Sequence, residues 1–149
     1  MELKGKIKLE TELIIHSSLR WIILITLLVH LYCIYTGYFK HKPFTKFNNI
    51  FSHVTVGFIH LQFVIGLYVY YTSEKTSIFL SDVKGSIAIS ELRFYAVEHS
   101  LIMLIAIIII TIGSFKAKRI EDERKKYKTQ IIYFTIGLIL ILAGIPWNM

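Results

Sequence analysis

Four long apolar runs dominate the sequence, and each is separated from the next by a polar or charged stretch. The runs cover residues 13–38, 50–71, 94–115 and 131–147. Each has about the length that an α-helix needs to cross a hydrocarbon core, roughly 20 residues. Because a bilayer offers no water to unpaired backbone groups, and no strand-like alternation is present, the runs should be helices. We predict an all-α integral membrane four-helix bundle with up-down topology, formed by residues 1–149 as one domain.

The composition supports a membrane protein over a soluble one. Hydrophobic residues make up 54% of the chain and charged residues 18%, and the mean hydropathy is +0.57. Soluble domains have about a quarter charged residues and less apolar content. The single cysteine, Cys33, excludes an internal disulfide, and only two prolines, Pro43 and Pro146, interrupt the helical pattern.

The net charge of +7 is concentrated in two of the three links. The links between runs 1 and 2 and between runs 3 and 4 hold ten of the 17 basic residues and three of the ten acidic ones. The positive-inside rule therefore places these links in the cytoplasm and both termini outside. We attribute the basic surplus to topology and lipid headgroups, not to nucleic acid. We also expect run 1 to be retained, because it is too long for a signal peptide and lacks a small-residue cleavage site.

Two links and one helix face carry further expectations. The outer link, residues 72–93, contains Ile78, Phe79 and Leu80 and favours a short helix on the surface. The inner link, residues 116–128, is so highly charged that a solvated loop in contact with headgroups is expected. Gly137 and Gly144 lie seven residues apart on one face of run 4, which predicts close packing against a neighbouring helix.

Five of the six histidines fall within or at the edge of the apolar runs. Ionisable side chains there are costly, and they usually face the bundle interior, a cavity or a cofactor. Imidazole is also a common donor to metals and to haem iron. A rise of about 1.5 Å per residue places three of them in the outer half and two in the inner half. The outer group is His16, His60 and His99, and the inner group is His30 and His53.

Three charged residues accompany the outer histidines. Arg20 and Arg93 are each placed either to neutralise a carboxylate, such as a haem propionate, or to extend to lipid phosphates. Glu98 adjoins His99 and is a candidate proton carrier or a partner of Arg20 or Arg93.

Five segments carry a family resemblance, in order and spacing, across nearly the whole chain. They are His16–Trp21, His60–Leu67, Glu98–Met103, Thr111–Gly113 and Ala143–Trp147. Together they resemble the signature of small bacterial four-span proteins described as cytochrome b or cytochrome b-like. The resemblance implies haem b, and it assigns the family's motif histidines to His16, His60 and His99, beside Arg20 and Glu98. His30 and His53 lie outside the motif, and Ser100 stands where the family often has proline.

The leading hypothesis is a bundle that binds one haem b in its outer half. His60 and His99 are its expected axial ligands, and His16 replaces one of them or binds a propionate or a quinol. The protein would pass electrons between a quinol pool and a redox partner protein. It would then be an electron carrier or a subunit of an oxidoreductase, not a stand-alone enzyme, and no catalytic residue is assigned.

Two alternatives belong to other classes. In the first, His16, His60 and His99 bind copper or zinc with help from Glu98. In the second, the chain is a cofactor-free accessory subunit whose histidines make interhelical hydrogen bonds. A haem on His30 and His53 would add a transmembrane electron path. The oligomeric state is left open by all of these hypotheses.

Overall fold

Helices are the only regular secondary structure in the part of the chain that the structure describes. The computed structural model covers residues 2–147, apart from the side chains of residues 2–4 and 6, and no strand occurs there. The all-α prediction is confirmed. The elements are α1 (Glu2–Phe39), α2 (Lys46–Thr72), α3 (Glu74–Ser81), α4 (Val83–Ser86), α5 (Ser90–Arg93), a π-helical turn (Phe94–Glu98), α6 (His99–Arg119) and α7 (Glu123–Gly144).

Four helical segments are long and apolar enough to cross a membrane, and they coincide with the four apolar runs. They are Ile7–Phe39, Lys46–Thr72, Ser90–Arg119 and Glu123–Gly144. Much of their outward surface is apolar, since Ile25, Val64 and Ile139 are each at least 60% exposed. Such a surface is stable only in an apolar surrounding. The chain is therefore a multi-pass membrane protein with lipid-facing helices.

The four long helices form a ring in the order α1, α2, α6, α7. Neighbours run antiparallel, because residues near the start of one helix contact residues near the end of the next. Tyr70 of α2, for example, bonds to the carbonyl of Ala96, just before α6. The Tyr35 hydroxyl and Thr135 Oγ1 lie 2.9 Å apart and join α1 to α7. Leu27, Ile34, Ile110 and Phe134 are fully buried at the centre of the bundle.

The charged inner link is more ordered than the sequence analysis predicts. Lys116, Lys118 and Arg119 belong to the last turn of α6, and α7 already begins at Glu123. Lysine, arginine and glutamate are good helix formers, and cations at a helix C-terminus are stabilised by its dipole. The turn between the helices spans only residues 120–122, and the Asp122 carboxylate accepts the Lys125 N–H at 2.7 Å. The expected long solvated loop is wrong.

The short helix expected in the outer link is confirmed as α3. One face of α3 packs into the protein, because Thr76 and Phe79 are buried. The expected start of run 3 at Phe94 coincides with the π-helical turn, a feature that was not predicted.

Glycines set the close approach of α6 and α7. A Cβ added at Gly113 would lie 2.2 Å from Tyr133 Cβ, and one at Gly137 would lie 2.2 Å from Ile110 Cγ1. A Cβ at Gly144 would lie 2.9 Å from Ile102 Cγ2. Real Cβ atoms do not approach other atoms this closely, so the predicted packing role of Gly137 and Gly144 is confirmed.

A candidate ligand site between His16 and His99

His99 follows directly on the π-helical turn. Its peptide N–H donates to the carbonyl of Phe94, five residues back instead of four. The extra residue turns the following helix face by about 100°. The widened turn leaves carbonyls that need other donors: Tyr70 Oη donates to Ala96 O at 3.1 Å and Ser100 Oγ to Tyr95 O at 3.0 Å. Such turns occur frequently at functional sites.

The His99 ring is oriented by a backbone carbonyl of α7. His99 Nδ1 lies 2.7 Å from Gly144 O. A carbonyl oxygen only accepts hydrogen bonds, so Nδ1 carries the proton and Nε2 of the neutral ring is unprotonated. Metal-binding histidines are commonly held in this way, with the far nitrogen donating to a carbonyl and the near one free to bind.

Backbone carbonyls lose their helical donors at the end of α7. Helix α7 ends at Gly144, and Pro146 has no N–H to donate to Leu142 O. The indole Nε1 of Trp147 donates to that oxygen instead, at 2.9 Å. The Gly144 carbonyl is one of the C-terminal carbonyls that need a partner outside the helix, and His99 supplies it.

His16 approaches His99 from the opposite side of the bundle. The two ring centroids are 6.4 Å apart and the ring planes are nearly perpendicular, at 82°. Helix α2 holds His16 from two directions. Gln62 Nε2 donates to the His16 carbonyl at 2.8 Å, and a Cβ on Gly66 would lie 3.1 Å from His16 Cε1. The absence of a side chain at Gly66 therefore gives the imidazole its position.

Three buried polar atoms around His16 have no hydrogen-bond partner in the described part of the chain. They are His16 Nδ1, Gln62 Oε1 and Arg20 Nε. An unpaired buried polar group costs about 1–3 kcal/mol, so a cluster of three indicates a partner that protein atoms do not supply. The Arg20 guanidinium lies over the Trp21 ring at 5.2 Å, and Trp21 contacts Trp147. This stack holds a cationic donor beside the two imidazoles.

Arg93 and Glu98 pair with each other across the π-helical turn. Arg93 Nε lies 2.6 Å from Glu98 Oε1, and its Nη1 donates to Ile87 O at 2.9 Å. Of the partners considered for Glu98, the structure therefore forms the one with Arg93. Both side chains are about 40% exposed, so the pair contributes little stability. Unlike Arg20 Nε, the Nε of Arg93 has a partner within its own segment.

His60 is not brought to His99. Its Nε2 lies 2.8 Å from Thr111 Oγ1, and Thr111 is twelve residues, or about 18 Å, further along α6 than His99. The His60–His99 pair expected as axial ligands is thus not assembled. The reason is the register of the antiparallel helices, since α2 reaches the level of His16 only at Gly66.

The three-histidine copper or zinc site is not assembled either. Among the described residues, no three His, Cys, Asp or Glu side chains lie close enough together to hold a metal ion.

The inner histidines also remain apart. His30 is 1% exposed and packs against Phe134 and Phe51, with centroids 4.6 and 5.8 Å away. Neither ring nitrogen makes a hydrogen bond of normal geometry, although the Gln130 amide is its polar neighbour. His53 is exposed and its Nδ1 lies 3.4 Å from Ser114 Oγ.

A short polar chain crosses the bundle at this inner level. Gln130 Nε2 donates to Ser52 Oγ at 3.2 Å, and Ser52 Oγ lies 3.3 Å from Ser114 Oγ. All three residues are buried. The chain joins α2, α6 and α7 in the way that polar side chains commonly connect membrane helices.

Sequence reasoning missed the part that three residues play in this site. Gln62, Gly66 and Gly144 each fall inside a segment that carries the family resemblance, but the sequence analysis assigns no role to Gln62 or Gly66 and only a packing role to Gly144. Their roles depend on which helices are adjacent and in what register.

The His16–His99 pair fits a group that needs two nitrogen donors and a cationic neighbour. The two imidazole rings lie 6.4 Å apart, centroid to centroid, and a neutral imidazole can give a ring nitrogen to a metal. Haem b can be held by imidazole and carries carboxylates that would pair with arginine, so His16, His99 and Arg20 are the residues that would hold it.

No protein-family model matches this chain, and no curated protein or solved structure matches it either. The resemblance to cytochrome b-like proteins therefore stays a prediction.

Proposed function

We propose that the protein binds one haem b between α1 and α6 and transfers electrons within the membrane. The supporting observation is the hydrogen bond from His99 Nδ1 to Gly144 O, which leaves Nε2 unprotonated, with the His16 ring 6.4 Å away. Haem b, when bound, supplies a centre that takes up and releases single electrons. His16 replaces His60 as the second proposed ligand, because His60 is engaged with Thr111.

Each residue of the site has a distinct part in this proposal. Gly144 O fixes the tautomer and orientation of His99, and Gln62 fixes the backbone of His16. Arg20 Nε, which is buried and unpaired, binds a carboxylate of the cofactor. With His16 and His99 both holding the haem iron, the group would supply electron transfer and not oxygen chemistry.

The proposed setting is a bacterial inner membrane with both termini outside. It is supported by the basic residues gathered around the turns after α1 and α6, which the positive-inside rule assigns to the cytoplasm. The proposed electron donor is a quinol dissolved in the bilayer, and the acceptor is a redox partner protein. The chain acts as a carrier or as a subunit of an oxidoreductase.

The test is an absorption spectrum of the full chain, purified in mild detergent from haem-replete cells, with haem quantified per chain. We expect a b-type α band in the reduced-minus-oxidised spectrum and one haem per chain. His16→Gln and His99→Gln should each abolish the band, because each removes one axial donor. His60→Gln is the matched control, and it should keep both the band and the haem content.

Three results would overturn the proposal. A colourless preparation would favour the cofactor-free subunit, and bound copper or zinc without a haem band would favour a metal-binding protein. Loss of the band in His60→Gln together with its retention in His16→Gln would assign ligation to another pair.

A further inference from the structure

A groove of about 450 Å³ lies at the opposite end of the bundle from His16 and His99. It is enclosed by the last turns of α1, the link to α2, the first turn of α2 and the start of α7. Tyr32, Phe47 and Tyr127 contribute aromatic walls, and Lys40 and Lys42 contribute charge. Its volume is in the range of small-molecule binding sites.

The walls of this groove are held by specific contacts. Gly37 gives space to the Tyr127 ring, since a Cβ there would lie 2.4 Å from Tyr127 Cζ. Tyr127 Oη donates to Pro43 O at 3.1 Å, which ties the α1–α2 link to α7. His41 adopts a positive φ of 51°, and the Lys42 N–H donates to Gly37 O at 3.0 Å. The link is thus a defined turn against α7.

The groove attracts anions. The ammonium groups of Lys40 and Lys42 are exposed and make no ion pair or hydrogen bond with the described residues, and no acidic residue lines the groove. The N-terminus of α2 opens onto the same space, with Thr45 as its capping residue, and its dipole also favours negative charge. Arg124 and Lys126 lie nearby, over the rings of Tyr38 and Phe44.

The groove is also continuous with the lipid-facing surface. Tyr32 is 71% exposed and lies on the membrane-spanning part of α1, while Phe47 is 64% exposed at the start of α2. Lys40 and Lys42 follow the end of the helix, at the depth where headgroups begin. An occupant therefore meets positive charge at one end and apolar surface at the other, which is the chemistry of an anionic amphiphile.

We propose that this groove binds the phosphate of an anionic phospholipid, with Lys40 and Lys42 on the phosphate and the acyl chains along Tyr32 and Phe47. Basic pockets between membrane helices on the cytoplasmic side are known to bind acidic lipid headgroups. The site is independent of the haem proposal, because it lies at the other end of the bundle and shares no residue with it.

Cys33 provides the test, because it is the only cysteine in the chain, is partly exposed and lines the groove. The full chain is placed in nanodiscs of phosphatidylcholine alone or of phosphatidylcholine and phosphatidylglycerol in equal parts. The rate of Cys33 alkylation by N-ethylmaleimide is then measured in both. We expect slower alkylation with phosphatidylglycerol, because the bound lipid covers the thiol.

The variant Lys40→Gln/Lys42→Gln should lose this protection. Each lysine near an anionic surface contributes about fivefold to binding, so the affinity for phosphatidylglycerol should fall about 25-fold. Lys118→Gln/Lys128→Gln is the matched control, since it removes the same charge from the same end without touching the groove. It should keep the protection, and equal melting temperatures would show that both variants are folded.

Other results would contradict the proposal. Equal loss of protection in the two double variants would mean diffuse surface attraction without a site. Protection by glycerol phosphate in phosphatidylcholine discs would assign the groove to a soluble phosphate compound. Equal alkylation rates of the wild-type chain in the two bilayers would show that no anionic lipid occupies the groove.

Discussion

The imidazole of His99 donates its Nδ1 proton to the carbonyl oxygen of Gly144 at 2.7 Å, and this bond joins the start of α6 to the end of α7. Three local features make it possible. The π-helical turn sets the direction of His99, Gly144 lets the helices approach, and Pro146 ends α7 so that the carbonyl is free. The bond also determines which nitrogen of His99 is available to a ligand.

Under the proposed function, Gly66→Ala should weaken haem binding while leaving the bundle folded. The added Cβ would lie 3.1 Å from His16 Cε1, so the ring must shift by a few tenths of an ångström. Gly57→Ala, on the same helix, is the control because nothing lies within 4 Å of its added Cβ. Haem per chain and the midpoint potential should change in Gly66→Ala only. Equal changes in both variants would trace the effect to α2 as a whole.

Arg20 and Arg93 should differ in their effect on the cofactor. Arg20 Nε is buried and unpaired, whereas Arg93 is engaged by Glu98 and by Ile87 O. We expect Arg20→Gln to weaken haem binding roughly 10-fold or more and to lower the midpoint potential, because a cation beside a carboxylate is lost. Arg93→Gln should leave both quantities close to wild type. Spectroelectrochemical titration measures the potentials, and the reverse order of effects would remove Arg20 from the site.

Gly113→Ala should destabilise the packing of α6 on α7. The new Cβ would lie 2.2 Å from Tyr133 Cβ, an atom that moves only with its backbone. Overpacking of this kind costs about 1–3 kcal/mol. Unfolding in mixed detergent measures the change in free energy, with Gly57→Ala again as the control. An unchanged free energy of unfolding in Gly113→Ala would mean that α6 and α7 can move apart without an energetic cost.

Ser114→Ala should reduce stability through the inner polar chain. Ser114 Oγ lies 3.3 Å from Ser52 Oγ and 3.4 Å from His53 Nδ1, and its removal leaves Ser52 with Gln130 alone. We expect a loss of about 1 kcal/mol in the free energy of unfolding. Ser18→Ala, which removes an exposed serine of α1, is the control and should change the free energy of unfolding by less than about 0.5 kcal/mol. Equal values for the two variants would mean that the chain contributes no stability.

The proposed orientation is testable with two single-cysteine variants in a Cys33→Ser background. Glu121→Cys lies in the turn between α6 and α7, and Glu74→Cys lies at the start of α3, at the other end of the bundle. In intact cells, a membrane-impermeant thiol reagent should label only Glu74→Cys, because the positive-inside rule assigns the basic end to the cytoplasm. Labelling of Glu121→Cys alone would invert the orientation.

The helices were predictable from the sequence because their causes are local. About 20 consecutive apolar residues require a helix in a bilayer, whatever the neighbouring segments do. The spacing of Gly137 and Gly144 likewise indicated a packing face without any knowledge of its partner. The helical state of residues 116–119 and 123–128 is not indicated by their charge, which is equally typical of a solvated loop, but it agrees with the high helix propensity of lysine, arginine and glutamate.

The sequence by itself determined that this is a four-helix membrane protein with histidines inside its apolar runs. The predicted outer level does not hold for His60, which lies beside Thr111, about 18 Å along α6 from His99. Only the tertiary structure decided which histidines meet. Rise per residue estimates the depth of a side chain, but its partner depends on the register of adjacent helices and on its angle around the axis. The π-helical turn changes that angle just before His99, and the register sets Gly66, not His60, beside His16. For this reason the packing of the helices, and not the sequence pattern, identifies His16 and His99 as the pair that meets.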